Sequence, residues 1–190
     1  VLALRLRRAS KCMFDNVENL ITVIMPEAVG AIYGSFYNTA IQHCFFPKLV
    51  GIGIEAFQKC EIRALDSQNF PVLELISNNG FSNCPLTSVN LPNLIYVGHD
   101  GFANCNNLNR FSAETLEELG ENCFSNCPLL SSINCNLGPE KFTCNGCAKC
   151  PVCFHDVETC LQPDRYSWLD EHLEINFDHE KIDQILTKYK

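Results

Sequence analysis

The strongest chemical signal in this 190-residue chain lies near its C-terminal end, at Cys144, Cys147, Cys150, Cys153, His155 and Cys160. Three consecutive C-x2-C steps bring thiols close enough together to share one ion or to oxidise in pairs. Three chemistries compete. Cys-rich caps close the ends of secreted repeat proteins with disulfides, and this is the leading expectation. Tetrahedral thiolates would instead hold a structural zinc ion, either with the four closely spaced cysteines or with Cys150, Cys153, His155 and Cys160. Zinc knuckles are normally separated by a dozen or more residues, whereas only Ala148 and Lys149 intervene here. An iron–sulfur cluster uses a similar run, but its proline follows the fourth cysteine, and here Pro151 follows the third. Free thiols remain a fourth reading.

Other reactive groups are weaker candidates. Cys153 and His155 could form a nucleophile–base pair, but no third, orienting group is identifiable. Glu114, Glu117, Glu118 and Glu121 cluster without a pocket around them, and His172 and His179 read as surface residues. A Gly-rich phosphate loop, an H-E-x-x-H helix and a G-x-S-x-G elbow are all missing. The expectation is a protein that is not an enzyme. A net charge of −8 and a pI near 5.1 argue against a nucleic-acid partner. The basic run Arg5, Arg7, Arg8 and Lys11 reads as a solvated face. No stretch of about 20 apolar residues could span a bilayer. The chain starts without Met and inside a repeating pattern, which reads as a fragment or a processed piece.

That pattern organises most of the chain. Strand positions recur at Leu20, Ile41, Ile62, Leu86, Leu108 and Leu130, at intervals of 21, 21, 24, 22 and 22. Phenylalanines follow in phase at Phe36, Phe57, Phe81, Phe102 and Phe124. An apolar–Pro pair recurs at Met25-Pro26, Phe46-Pro47, Phe70-Pro71 and Leu91-Pro92. A partial earlier turn fits Leu6, Ala9, Phe14 and Val17. A fixed period in the twenties is the mark of a leucine-rich-repeat solenoid. Within each L-x-x-L-x-L the last three positions alternate, so one side of an extended strand is apolar. Pro has no N–H to donate and ends the ladder. The Phe then returns inward and can stack on its counterpart in the next turn. Three residues later stands Cys60, Cys84, Cys105 or Cys127, with Thr39 in the first full turn. A Thr in that place points to small buried side chains and free thiols, not to redox chemistry.

Residues 86–105 and 41–60, with Glu55-Ala56-Phe57-Gln58-Lys59-Cys60, resemble the BspA-type (treponemal) leucine-rich repeat, L-x-x-I-x-L-P-x-x-L-x-x-I-G-x-x-A-F-x-x-C. The resemblance covers roughly residues 6–137. It implies a right-handed solenoid with a parallel β-sheet on a concave face and loops or short helical turns on the convex side. It also implies a binding role, on bacterial or parasitic-protist surfaces that engage host or matrix proteins, or inside protist cells. The sequence departs from the pattern in the long Ile62 turn, in the missing Pro of the Leu108 turn and in Thr39.

Solenoids bind through the outward residues of their strands. These read as Thr22 and Ile24, His43 and Phe45, Ala64 and Asp66, Ser88 and Asn90, Arg110 and Ser112, and Ser132 and Asn134. Phe45 and Arg110 are the expected anchors, because aromatic and Arg side chains dominate binding hot spots. His43 reads as a bystander. Residues 1–137 form the solenoid. Gly138-Pro139 interrupts it, 138–163 form the Cys-rich cap or metal module, and 164–190 a helical tail. In the tail Ser167 can cap one helix. Asp178 can cap another at 179–189, with Ile182, Ile185, Leu186 and Tyr189 on one face. The expected function is non-catalytic protein or glycan binding at a cell surface. The alternative is an intracellular scaffold whose Cys-rich module holds structural zinc.

Overall fold

The computed structural model describes residues 1–138, 141 and 142. Cys144, Cys147, Cys150, Cys153, His155, Cys160 and the tail helices lie outside the described residues. Among the described residues, twelve short strands alternate between two walls, all paired in parallel. The first wall carries β2 (Thr22–Ile24), β4 (His43–Phe45), β6 (Ala64–Leu65), β8 (Ser88–Asn90), β10 (Arg110–Ala113) and β12 (Ser132–Cys135). These are the strands that the leucine pattern marks. The second wall is a ladder of two-residue strands: β1 (Arg8–Ala9), β3 (Gly30–Ala31), β5 (Gly51–Ile52), β7 (Leu75–Ile76), β9 (Tyr96–Val97) and β11 (Glu118–Leu119). The return side, expected as loops and short helical turns, is therefore partly sheet. None of the described helical structure is long and apolar enough to cross a membrane.

The repeat consensus accounts for the wall lengths. Leu91-Pro92 closes β8 after three residues, because Pro cannot extend the ladder. The Leu108 turn has Glu114 where others have Pro, and β10 runs a fourth residue to Ala113, paired with Cys135. Glycines set the second wall's spacing. A Cβ on Gly98 would lie 2.6 Å from the backbone nitrogen of Asn78, so only glycine lets these turns approach. Asn78 is buried in that space, and its Oδ1 accepts a hydrogen bond from the His99 N–H at 2.8 Å.

Between the walls runs a ladder of rings. Phe14, Phe36, Phe57, Phe81, Phe102, Phe124 and Phe142 stack in order, with centroids 4.9–6.3 Å apart and planes within 21° of parallel. Phe46, Phe70 and Phe111 meet this column edge-on. Offset stacks and edge contacts both suit the aromatic quadrupole. The column passes Leu137, where the leucine pattern fades, and reaches Phe142.

Each Phe of the stacked column from Phe14 to Phe124 sits midway between two left-handed residues. Around Phe36 these are Gly34 (φ 58°) and Asn38 (φ 52°); around Phe102 they are Asp100 (φ 55°) and Asn104 (φ 59°). This alternation turns every second N–H toward the following turn. Gly34, Phe36 and Asn38 donate to the carbonyls of Ile54, Ala56 and Gln58. Asn is the non-glycine residue that best tolerates this region, which explains why Asn supplies so many of these positions. Its side chains add a second tie: Asn38 Nδ2 donates to Asn16 Oδ1 at 2.7 Å, and Asn126 Nδ2 to Asn104 Oδ1 at 2.8 Å.

The first wall is not continuous. β2 and β4 form one sheet, and β6, β8, β10 and β12 another. The cause is the long turn. Ile62 and Phe70 stand eight residues apart, whereas Leu86 and Leu91 stand five apart. The extra residues make a loop after β6, held by Asp66 Oδ1, which accepts from the N–H groups of Gln68 (2.9 Å) and Asn69 (3.0 Å). In place of strand pairing, the N–H of Phe46 donates to the carbonyl of Asn69 at 3.0 Å.

Candidate binding face

The outward positions of the first wall fall into rows. On the N-terminal side of the Asp66 loop, Thr22 lies opposite His43, and Ile24 opposite Phe45. Leu2 bridges to Ile24 on its other side, so Leu2, Ile24 and Phe45 form one row of apolar side chains. Leu2 is 64% exposed and Phe45 42%, with Ile24 partly covered. Leu2 is missing from the residues expected on this face. Its signal was a spacing of 22 residues from Ile24.

On the other side of the loop the rows are polar. Ser88, Arg110 and Ser132 are in register, as are Asn90, Ser112 and Asn134. Arg110 is exposed between two serines, which leaves its guanidinium open from both sides. It makes no ion pair among the described residues, where the one ion pair is Lys48–Glu27 at 2.8 Å. Asn134 Nδ2 donates to Ser112 Oγ and to Glu114 Oε1, each at 3.3 Å, so part of the polar row is braced internally. Asp66 is placed differently from its neighbours: its carboxylate holds the loop that divides the wall. Phe45 and Arg110 are three turns apart, roughly 14 Å at a parallel-strand spacing of about 4.8 Å.

The periodic cysteines are structural. Among the described residues Cys12, Cys44, Cys60, Cys84, Cys105, Cys123, Cys127 and Cys135 are free thiols, as expected for the four in the repeat. Cys60, Cys84, Cys105 and Cys127 each donate an S–H to the carbonyl of the Phe one turn earlier, at 3.1–3.3 Å. Thr39 donates to the Phe36 carbonyl of its own turn at 3.0 Å and lies 3.2 Å from Cys60 Sγ. Burial pushes the thiols up to about 12 at Cys44 and Cys105 and to about 11 at Cys60. Burial also raises Cys84 and Cys123. Nucleophilic and metal-binding cysteines need the thiolate, so these thiols are poor candidates for either role. No group of three or more His, Cys, Asp or Glu among the described residues is arranged to hold a metal ion.

No curated protein and no solved structure was found to match the chain. A family profile described as BspA type leucine rich repeat region does match, in six copies over residues 2–63 and 74–151. The gap between the two matched segments contains the Asp66 loop that splits the first wall. The profile covers most of the sequence over which the Phe column and the paired strands repeat, and the chain belongs to the family of BspA-type leucine-rich-repeat proteins.

Proposed function

We propose that the chain is a non-catalytic recognition module that binds a protein ligand across its first wall, with a glycan as the other ligand class. One observation carries this reading. The apolar row Leu2, Ile24 and Phe45 shares a wall with the exposed Arg110, and the two lie on either side of the Asp66 loop. An aromatic anchor and a cation about 14 Å apart suit a ligand segment with an apolar side chain at one end and a carboxylate near the other. Thr22, His43, Ser88, Asn90, Ser112, Ser132 and Asn134 would supply the polar rim. The family supports recognition at a cell surface as the setting.

A second reading, an intracellular scaffold, is favoured by a different observation. Eight described cysteines are free, and Cys12 is exposed. Thiols persist where the compartment is reducing. In that setting Cys144, Cys147, Cys150, Cys153, His155 and Cys160 would hold structural zinc; at a surface the cysteines would pair instead. Elemental analysis of protein purified without chelator, together with counting of thiols after denaturation, separates the two. One zinc per chain with all 13 thiols free supports the scaffold. Disulfides without metal support the surface.

The binding face is tested by selecting a displayed peptide library on the full chain and measuring the winners again on Phe45→Ala and Arg110→Ala. Loss of at least tenfold in affinity with either variant is expected. Winners indifferent to both would reject the face, and binding of glycans alone would change the ligand class.

A further inference from the structure

Between β2 and β12 the lysines and arginines are Lys48, Lys59, Arg63 and Arg110. The lysines are engaged. Lys48 pairs with Glu27, and Lys59 Nζ donates to Tyr37 Oη at 2.9 Å while lying over the same ring. Arg63 and Arg110 are exposed, and their side chains make no ion pair or hydrogen bond among the described residues. Both border the polar half of the first wall. Ala64 and Arg110 stand in register with Ser88, one on either side of it. Arg63 directly precedes Ala64, and its carbonyl accepts from the Thr87 N–H at 2.7 Å and from Thr87 Oγ1 at 2.9 Å. The two arginines are thus two strand steps apart, roughly 10 Å, with Thr87 and Ser88 between them. The carboxylates on this part of the wall are already bonded. Asp66 holds its loop, and Glu114 accepts from Asn134.

We infer, resting on the first wall as the recognition face, that this half of it takes an acidic peptide segment. Two carboxylates about 10 Å apart would sit one on Arg63 and one on Arg110. Arg63, which stands one residue outside its strand, then joins Arg110 as a specificity-determining residue and reaches the ligand from the flank with its side chain. A guanidinium fork matches a carboxylate bidentately, and both forks here have open donors. A polyproline-II segment has three residues per turn and rises about 3.1 Å per residue, so acids at i and i+3 share one face about 9 Å apart. The Ser88 hydroxyl, without a hydrogen-bond partner among the described residues, lies between the two forks for the segment's backbone. A net charge of −8 repels acidic partners at long range, so selection falls to these two local contacts. The apolar row Leu2, Ile24 and Phe45 on the same wall favours a peptide, which carries apolar side chains, over an anionic glycan.

The test selects a displayed peptide library on the full chain and measures synthetic copies of the winners by fluorescence anisotropy. Winners with acids at i and i+3 are expected. Their affinity should fall at least tenfold on Arg63→Ala and on Arg110→Ala, and stay unchanged on Lys59→Ala, which removes an equal charge held at Tyr37. Arg63→Ala keeps the carbonyl that Thr87 uses, and circular dichroism checks the fold of each variant. Once one acid of a winner is changed to its amide, one of the two arginine substitutions should have no further effect. Winners that need Phe45 but not Arg63 would overturn the acidic segment and leave the first-wall reading standing. Winners indifferent to Phe45, Arg63 and Arg110, or a selection without winners, would remove both. Winners lacking the acid pair, an equal loss on Lys59→Ala, or binding of heparin in place of peptides would each overturn the assignment.

Discussion

Replacing Phe57 with alanine removes a ring of the column that touches four others. Phe57 is fully buried and touches four rings: Phe36 at 4.9 Å and Phe81 at 5.3 Å by stacking, Phe46 at 5.7 Å and Phe70 at 6.3 Å edge-on. Phe-to-Ala changes in cores cost about 3–5 kcal/mol, rising with the cavity left behind. Rings held on four sides cannot collapse into that space, so about 5 kcal/mol is expected. Phe57→Leu keeps most of the volume and loses chiefly the aromatic pairing, worth about 0.5–1.5 kcal/mol for each pair and not additive. About 2 kcal/mol is expected for it. Phe14→Ala, at the start of the column, loses one stacked neighbour, Phe36 at 5.3 Å, from a half-buried site, and should cost about 1–2 kcal/mol. Urea unfolding of the full chain, followed by circular dichroism, gives all three values. Equal costs for Phe57→Leu and Phe57→Ala, or for Phe57→Ala and Phe14→Ala, would refute the ring column as the axis of stability.

Other outcomes follow from the same geometry. Asn104→Ala should cost about 1–2 kcal/mol in the same assay, because it forces Ala to φ 59° and removes the acceptor for Asn126; Asn104→Gly should cost clearly less. Gly98→Ala should destabilise by about 3 kcal/mol or abolish folding, since its Cβ would meet the backbone of Asn78. Raised thiol pKa values make stability fall at high pH. Unfolded thiols ionise near pH 8.5, while Cys60 holds its proton to about 11 and Cys44 and Cys105 to about 12. The unfolded chain then binds fewer protons. Stability is therefore full below about pH 8 and drops by up to about 1.4 kcal/mol per thiol per pH unit above pH 9. Urea midpoints measured with reductant should fall between pH 8 and 10, and Cys105→Ala should lessen the slope. Iodoacetamide on the native chain should label Cys12 while sparing Cys44, Cys60, Cys84, Cys105, Cys123 and Cys127, as mapped by mass spectrometry.

The solenoid was legible because each turn repeats the same burial problem. A leucine that faces inward at Leu86 must do so again at Leu108, and the phase of Phe36 to Phe124 follows. The column of rings and the free thiols were legible for the same reason. The second wall was not. A two-residue strand such as Gly51–Ile52 offers only one alternation, too little to separate from a loop. The left-handed pairs around each Phe carry a signal in Asn38, Asn83 and Asn104, but Glu55 and Lys59 obscure it. On the first wall alternation marked the strands, while the length of the Ile62 turn did not disclose that Asp66 would fold back on Gln68 and Asn69 and divide the sheet. Leu2 carries little signal because its own turn is partial, whereas its partner Ile24 sits in a complete one.

Recognition on the first wall would shield its strands from exchange. Amide exchange of the full chain, free and with a saturating library-selected binder, tests it most directly. Protection is expected only at segments 22–24, 43–45, 88–90 and 110–113. Protection confined to the second wall, at 75–76 and 96–97, would contradict it.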